Sequence, residues 1–299
     1  TVTVLLSVDD WGLYFTTLVL LASVVTLILS KDTFSPEGER KEEYYLLLVL
    51  SVLGAVILIQ STHMVSLLLG MELMGVALYA MIAFPEKGQL PLEAAIKYLV
   101  LSACASAMLL YGFALLYAAT GDLSYAGIGI KAALAYAQNP VLVIAGTVLV
   151  IAGICFKLSL VPFHMWTPDV YEGAPTPVTG FLATVSKGAV FVALTRFFIE
   201  GQLYQYSSLI GALSMVAIAS MLIGNLLALK QNNVKRLLAY SSIAHFGYLL
   251  VVLVALSYQD GPLITEAITF YLGAYILTTL LAFSVVATIA GEDEKKNDI

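Results

Sequence analysis

The chain has 299 residues, of which 60% are hydrophobic and only 11% charged, with a formal net charge of −6 and a mean hydropathy of +0.94. Soluble domains carry about 25% charged residues, so the composition excludes a water-soluble globular protein and predicts an all-α, polytopic membrane helix bundle. The two cysteines, Cys104 and Cys155, lie inside apolar stretches without metal-ligand spacing, which leaves a metal cluster or disulfide unsupported and reads as two small hydrophobes.

About 20 apolar residues cross a bilayer as a helix. By that measure the sequence predicts about nine spans, roughly 11–30, 44–60, 63–84, 92–119, 140–169, 176–199, 206–229, 234–257 and 263–290. The first follows Asp9 and Asp10 with no basic region before it, so no secretory signal is expected. Turn residues separate the spans at Ser35-Pro36-Glu37-Gly38, Pro85-Glu86-Lys87-Gly88, Gln138-Asn139-Pro140, Gly173-Ala174-Pro175-Thr176-Pro177, Gln231-Asn232-Asn233 and Gln259-Asp260-Gly261-Pro262. With alternate loops on alternate sides, Lys31, Arg40, Lys41, Lys87, Lys230, Lys235, Arg236, Lys295 and Lys296 share one side, and Lys131 and Arg196 share the other. Basic residues gather on the cytoplasmic side, so the amino terminus is expected outside and the carboxyl terminus inside.

Ionisable residues inside these spans carry the functional signal. Glu72 stands mid-span, where an unpaired carboxylate costs several kcal/mol, so it is expected to be neutral, paired or hydrated. Lys97 lies one turn into its helix and one turn after Glu93. Burial as a relay group competes there with an interfacial i, i+4 pair to Glu93. Lys157 lies deep in the fifth span, five residues before Pro162. Proline cannot donate a hydrogen bond and its ring clashes with the carbonyl four residues back, here that of Leu158. The helix is therefore expected to break beside Lys157, and broken membrane helices line ion sites in transporters. His164 follows the break, near Asp169 and Glu172, for which capping or loop bonds serve as well as transport. Lys187 is mid-span among small residues, and His245 is mid-span in Tyr240-Ser241-Ser242-Ile243-Ala244-His245-Phe246. A histidine there is either a hydrogen-bonded packing residue or a proton carrier. His63, at the start of a span, reads as interfacial. Taken together, buried Glu72, Lys97, Lys157 and Lys187 on four spans predict a proton relay, with static buried pairs as the plain alternative.

A faint repeat appears at an offset of 173 residues. Glu93-Ala94-Ala95-Ile96-Lys97-Tyr98-Leu99 lies on Glu266-Ala267-Ile268-Thr269-Phe270-Tyr271-Leu272, and the same offset lays Glu72 on His245. Five spans separate the copies, an odd number, so the second is inverted in the membrane, as in many transporter folds. The counterpart of Lys157 would fall past Ile299, so the second copy reads as incomplete.

The run from Gly153 to Val178, with Phe156-Lys157-Leu158-Ser159-Leu160-Val161-Pro162-Phe163-His164 and Thr167-Pro168-Asp169-Val170-Tyr171, resembles a signature of the antiporter-like membrane subunits of respiratory complex I. Phe181-Leu182-Ala183-Thr184-Val185-Ser186-Lys187 and the run from Asn232 to His245 are similar to other stretches of the same family. The resemblance covers essentially the whole chain. It implies two inverted five-helix repeats, each with one broken helix, which here gives a peripheral first helix and loop over 1–43, a first repeat over 44–200, an incomplete three-helix second repeat over 206–290, and a charged cytoplasmic tail over 291–299. It implies further helices before this chain and several after it, including a second broken helix with the outer lysine of the relay. Carried over by motif, Glu72 is the glutamate that modulates a lysine, Lys157 the lysine of the broken helix, Lys187 the central lysine and Lys97 the lysine of the intervening helix, with His164 and His245 as relay histidines.

The function so implied is a proton-translocating subunit of an NADH:quinone oxidoreductase, located in the energy-coupling membrane of a bacterium. The redox chemistry would lie on other subunits, since this chain has no phosphate-binding Gly-rich loop, cysteine cluster or haem motif, and no cofactor is expected on it. Expected partners are other membrane subunits, the lipid bilayer, protons and internal water, with no nucleic acid. In such a relay a charge beside a buried lysine shifts its proton affinity, so a row of lysines acts as coupled switches bridged by water. Two alternatives stand: a subunit of a multi-subunit sodium/proton antiporter, and a non-transporting membrane scaffold.

Overall fold

A computed structural model describes residues 3–33, 41–85, 89–258 and 261–290. The turns at 35–38, 86–88 and 259–260, the side chains of Arg40, Lys41, Lys87, Lys295 and Lys296, and the tail 291–299 lie outside the described residues. Twelve α-helices make up the described chain: α1 (Asp10–Thr33), α2 (Lys41–Ile59), α3 (Met64–Ile82), α4 (Gln89–Thr120), α5 (Tyr125–Gln138), α6 (Pro140–Leu158), α7 (Trp166–Gly173), α8 (Thr176–Phe181), α9 (Lys187–Glu200), α10 (Ser207–Ala228), α11 (Val234–Val254) and α12 (Gly261–Ala290). A π-helical turn, Leu182–Ser186, joins α8 to α9 without a break. Among the described residues nine helices are long and apolar enough to cross a membrane, and they fall on the nine expected spans.

Local signals set the helix ends. The imidazole Nδ1 of His63 accepts from Val65 N at 3.1 Å and so caps α3, which suits its expected interfacial place. Asn233 Oδ1 caps α11 by accepting from Lys235 N and Arg236 N, and Ser124 Oγ caps α5 by accepting from Gly127 N. Helices α2 and α3, α4 and α6, and α10 and α11 pack as close pairs. Small residues allow this approach in a bilayer, where van der Waals contact drives association. At the α4–α6 crossing a Cβ on Gly112 would sit 2.9 Å from Gly146 O.

The span Thr176–Glu200 forms the axis of the bundle. Residues 177–198 are all buried, packed against α1, α2, α3, α5, α6 and α12. That placement puts Lys187 at the centre rather than against lipid. At one end of the axis, Arg196 grips Asp9 with two hydrogen bonds of 2.6 and 2.9 Å, tying α9 to the start of α1.

Two features depart from the sequence reading. The fifth span is shorter than 140–169, because α6 ends at Leu158. Ser159 takes the left-handed conformation (φ 61°, ψ 34°). Its N–H donates to Phe156 O at 3.0 Å, and Leu160 N donates to Cys155 O at 2.9 Å, the paired bonds of a Schellman terminus. The break therefore precedes Pro162, which sits in the following turn after a cis Val161–Pro162 bond. The second departure is α5, read as connecting loop between the fourth and fifth spans. It has 14 residues, too short to cross a bilayer. It buries Tyr125, Ile128, Gly129, Ala132 and Ala135 along one stripe.

Candidate functional site

The break in α6 exposes backbone groups that the protein itself satisfies. Phe156 O accepts from the Trp166 indole Nε1 at 3.1 Å, and Val161 N donates to Ser220 Oγ on α10 at 2.9 Å. One residue before the end of α6, Lys157 is buried and donates to Ser102 Oγ on α4 at 2.5 Å. Tyr79 on α3 donates its hydroxyl to the same Ser102 oxygen at 2.6 Å. The Tyr98 ring lies 5.8 Å from Lys157 Nζ, within range of cation–π attraction.

Glu72, half-buried on α3, shares a helix face with Gly75 and Tyr79. Its carboxylate accepts a hydrogen bond from Ser106, one turn beyond Ser102 on α4. Among the described residues no ion pair joins Glu72 to Lys157. The two charges instead occupy neighbouring hydroxyl positions along α4. Gly75 lets the Tyr79 hydroxyl lie close over α3, since a Cβ there would sit 3.0 Å from it.

Lys187 is fully buried at the end of the π-helical turn. Such turns insert one residue into an α-helix and recur at functional sites. Lys187 Nζ donates to Ser242 Oγ on α11 at 2.9 Å. The Tyr275 hydroxyl on α12 also donates to Ser242, at 2.9 Å, and lies 3.1 Å from Ala183 O within the π turn. His245, half-buried one turn along α11, has Nδ1 2.7 Å from the Tyr271 hydroxyl and its ring 5.3 Å from that of Tyr275. The structure thus encloses Lys157 and Lys187 in the bundle and leaves Glu72, expected to be buried, only half-buried like His245, with each of the four held by a hydroxyl.

Lys97 and His164 are placed differently. Lys97 keeps 42% of its side chain exposed and pairs with Glu93 at 2.8 Å and Asp169 at 2.9 Å. Its expected burial in the relay gives way to the interfacial pair, because one turn of α4 leaves the ammonium within reach of the helix end. Asp169 and Glu172 on α7 also accept from Arg236 Nη1 at 2.8 and 2.7 Å, so this cluster ties α7 to α4 and α11. His164 is buried in the turn after the break, with no hydrogen-bond partner for Nδ1 among the described residues. No described group of three His, Cys, Asp or Glu is arranged to hold a metal.

The sequence reading missed the hydroxyls and rings between the charges: Tyr79, Tyr98, Ser102, Ser106, Ser242 and Tyr275. Two signals pointed to them. Ser102 and Ser106 sit at i, i+4 on an apolar helix, and the 173-residue offset that lays Glu72 on His245 also lays Tyr98 on Tyr271 and Ser102 on Tyr275.

Residues 61–299 match the family model described as NADH:quinone oxidoreductase/Mrp antiporter, transmembrane. A curated relative, NADH-quinone oxidoreductase subunit N of Methylococcus capsulatus, is 48% identical over 296 residues, covering 99% of this chain and 60% of the relative. The chain therefore spans about three fifths of the length of that relative. Among solved structures, a respiratory complex I chain from Thermus thermophilus, with bound aureothin, superposes with a TM-score of 0.77 at 38% identity, over 94% of this chain and 58% of its own. A chain of the archaeal membrane-bound sulfane sulfur reductase gives 0.76 at 31% identity, over 93% of this chain and 56% of its own. A chain of the Mrp complex from Dietzia gives 0.78 at 23% identity, over 92% and 51%, and supports the fold alone. The chain belongs to the NADH:quinone oxidoreductase/Mrp antiporter membrane family.

Proposed function

We propose that this member of the family works as a proton-translocating membrane subunit of an NADH:quinone oxidoreductase, with redox chemistry on other subunits. The observation that carries this reading is a set of four titratable side chains within the bundle, two of them buried and two half-buried, each on a hydroxyl. Glu72 meets Ser106, Lys157 meets Ser102, Lys187 meets Ser242 and Tyr275, and His245 meets Tyr271. A scaffold has no use for two ammonium groups held in an apolar interior, where ionisable residues mark ion paths. Hydroxyls can both donate and accept, so each step can pass a proton without a large movement of the carrier.

In this reading Glu72, Lys157, Lys187 and His245 carry the proton, and the break at Ser159 opens the bundle beside Lys157. Lys97 and His164 stand at the margin of the path. The first repeat takes in 44–200 and the second begins at 206, inverted so that His245 occupies the place of Glu72. The basic loops face the cytoplasm of a bacterium and the amino terminus faces out. Lipid surrounds the bundle, and internal water links the fixed hydroxyls.

The test uses the intact complex in sealed vesicles, with proton translocation and NADH oxidation measured together. Glu72→Gln and Lys187→Ala are expected to cut translocation at least tenfold, about 1.4 kcal/mol or more in barrier. Undiminished translocation in both variants would overturn the relay. A rate that follows sodium concentration at fixed pH would favour an antiporter of the Mrp type instead.

A further inference from the structure

Lys187 presents its ammonium to rings rather than to a carboxylate. Among the described residues its one hydrogen-bond partner is Ser242, and no acidic side chain pairs with it. Three ring faces surround the nitrogen: Tyr171 at 5.2 Å, Phe246 at 5.6 Å and Trp166 at 6.0 Å from their centroids. All three rings are buried. The face of an aromatic ring carries negative charge density, and a cation within about 6 Å is attracted to it, more strongly where water is excluded. Proteins that bind methylated lysine or choline use the same arrangement of rings around a cation.

Two of the three rings come from α7, the short helix after the break. Its outward residues, Asp169 and Glu172, are fixed by Arg236, and Asp169 also by Lys97. Its inward residues carry the Trp166 and Tyr171 rings to Lys187. Trp166 also stacks on Tyr98, with centroids 4.6 Å apart and planes 18° from parallel.

We propose that Tyr171, Phe246 and Trp166 form an aromatic cage that binds the Lys187 ammonium in place of a carboxylate. The cage is complete only when α7 is docked, because α7 supplies two of its walls. A carboxylate would hold the charge permanently in a dry interior. Ring faces attract it more weakly, which leaves the lysine free to give up its proton. This proposal rests on the reading of Lys187 as a proton carrier.

Tyr171 offers a probe of ring charge, because its ring face is the nearest of the three to the Lys187 nitrogen. In the intact complex in vesicles, Tyr171→Phe, which keeps the ring, sets the reference rate for a fluorine series. Site-directed incorporation of mono-, di- and trifluorophenylalanine at position 171 then withdraws charge from the ring face while barely changing its size. Translocation should fall stepwise along that series, by about two- to tenfold at the end of it. A ring that serves only as packing would give a flat series, and a flat series overturns the cage. Lys187→Gln in the same vesicles separates the two readings. If it abolishes translocation while the fluorine series is flat, the relay stands and the cage alone fails. If Lys187→Gln translocates at the unsubstituted rate, the relay fails and the cage falls with it.

Discussion

Ser102 and Ser106 lie one helical turn apart on α4, and each serves a different charge: Ser102 accepts from Lys157, while Ser106 donates to Glu72. α4 therefore sets the separation of the acid and the amine, which do not pair directly among the described residues. A direct buried pair is strongly locked, since removal of either partner leaves an uncompensated charge. Hydroxyl intermediates hold both groups while allowing each to change its charge, which is what a carrier requires.

Ser102→Ala would remove the hydrogen-bond partner of a buried ammonium and also strand the Tyr79 hydroxyl. A buried charged donor left unmade costs more than about 1–3 kcal/mol. Proton translocation by the complex in vesicles should fall about tenfold or more, while Ser102→Thr, which keeps the hydroxyl, should retain most of it. Equal rates for the two variants would show that the serine oxygen is not used.

Lys97→Met should behave unlike any change at Lys187. Lys97 is half-exposed and its partners Glu93 and Asp169 are themselves partly exposed, and exposed ion pairs contribute about 0–1 kcal/mol. Translocation in the Lys97→Met complex is expected to stay above about half of the unsubstituted rate. A loss as deep as that of Lys187→Met would return Lys97 to the relay.

Asp9 gives a pH signature outside the membrane spans. The Arg196 guanidinium bonded to it holds its carboxyl below the usual carboxylate range. A folded-state value below the unfolded one of about 3.9 adds stability above that pH. The contribution disappears as pH falls through the lowered folded value. Thermal unfolding of the purified chain in detergent should show a midpoint that drops with acidification below about pH 4. Asp9→Asn should lower the midpoint at pH 7 and flatten that acid limb. An unchanged acid limb in the variant would remove Asp9–Arg196 as its source.

The membrane spans, the broken helix and the burial of Lys157 and Lys187 were legible in the amino-acid order, while Glu72 is more exposed than its mid-span position suggests. Apolar runs of bilayer length and charges stranded within them are one-dimensional signals, and the cost of exposing backbone or charge to lipid leaves few solutions. The position of the break was legible only to within a few residues. Pro162 marked the region, yet the left-handed turn at Ser159 ends the helix sooner, and a non-glycine residue announces that conformation weakly. The short helix α5 carries a helical stripe that could have been read, but a search for bilayer length passes over it.

What surrounds each charge was decided by the tertiary structure. Ser102, Ser242 and Tyr275 look like ordinary polar residues of apolar helices until packing brings them to a lysine from another helix. The rings of Trp166, Tyr171 and Phe246 read as core in any linear scan. They become a cation site only because the axial span buries Lys187 between α7 and α11. Lys97 and Lys187 are the same residue type in similar apolar runs. One reaches the ion pairs at a helix end and the other is enclosed on all sides. Hydropathy along a chain reports how far a residue lies from the end of its own helix. Its neighbours on other helices depend on how those helices pack, which short spacing rules do not encode.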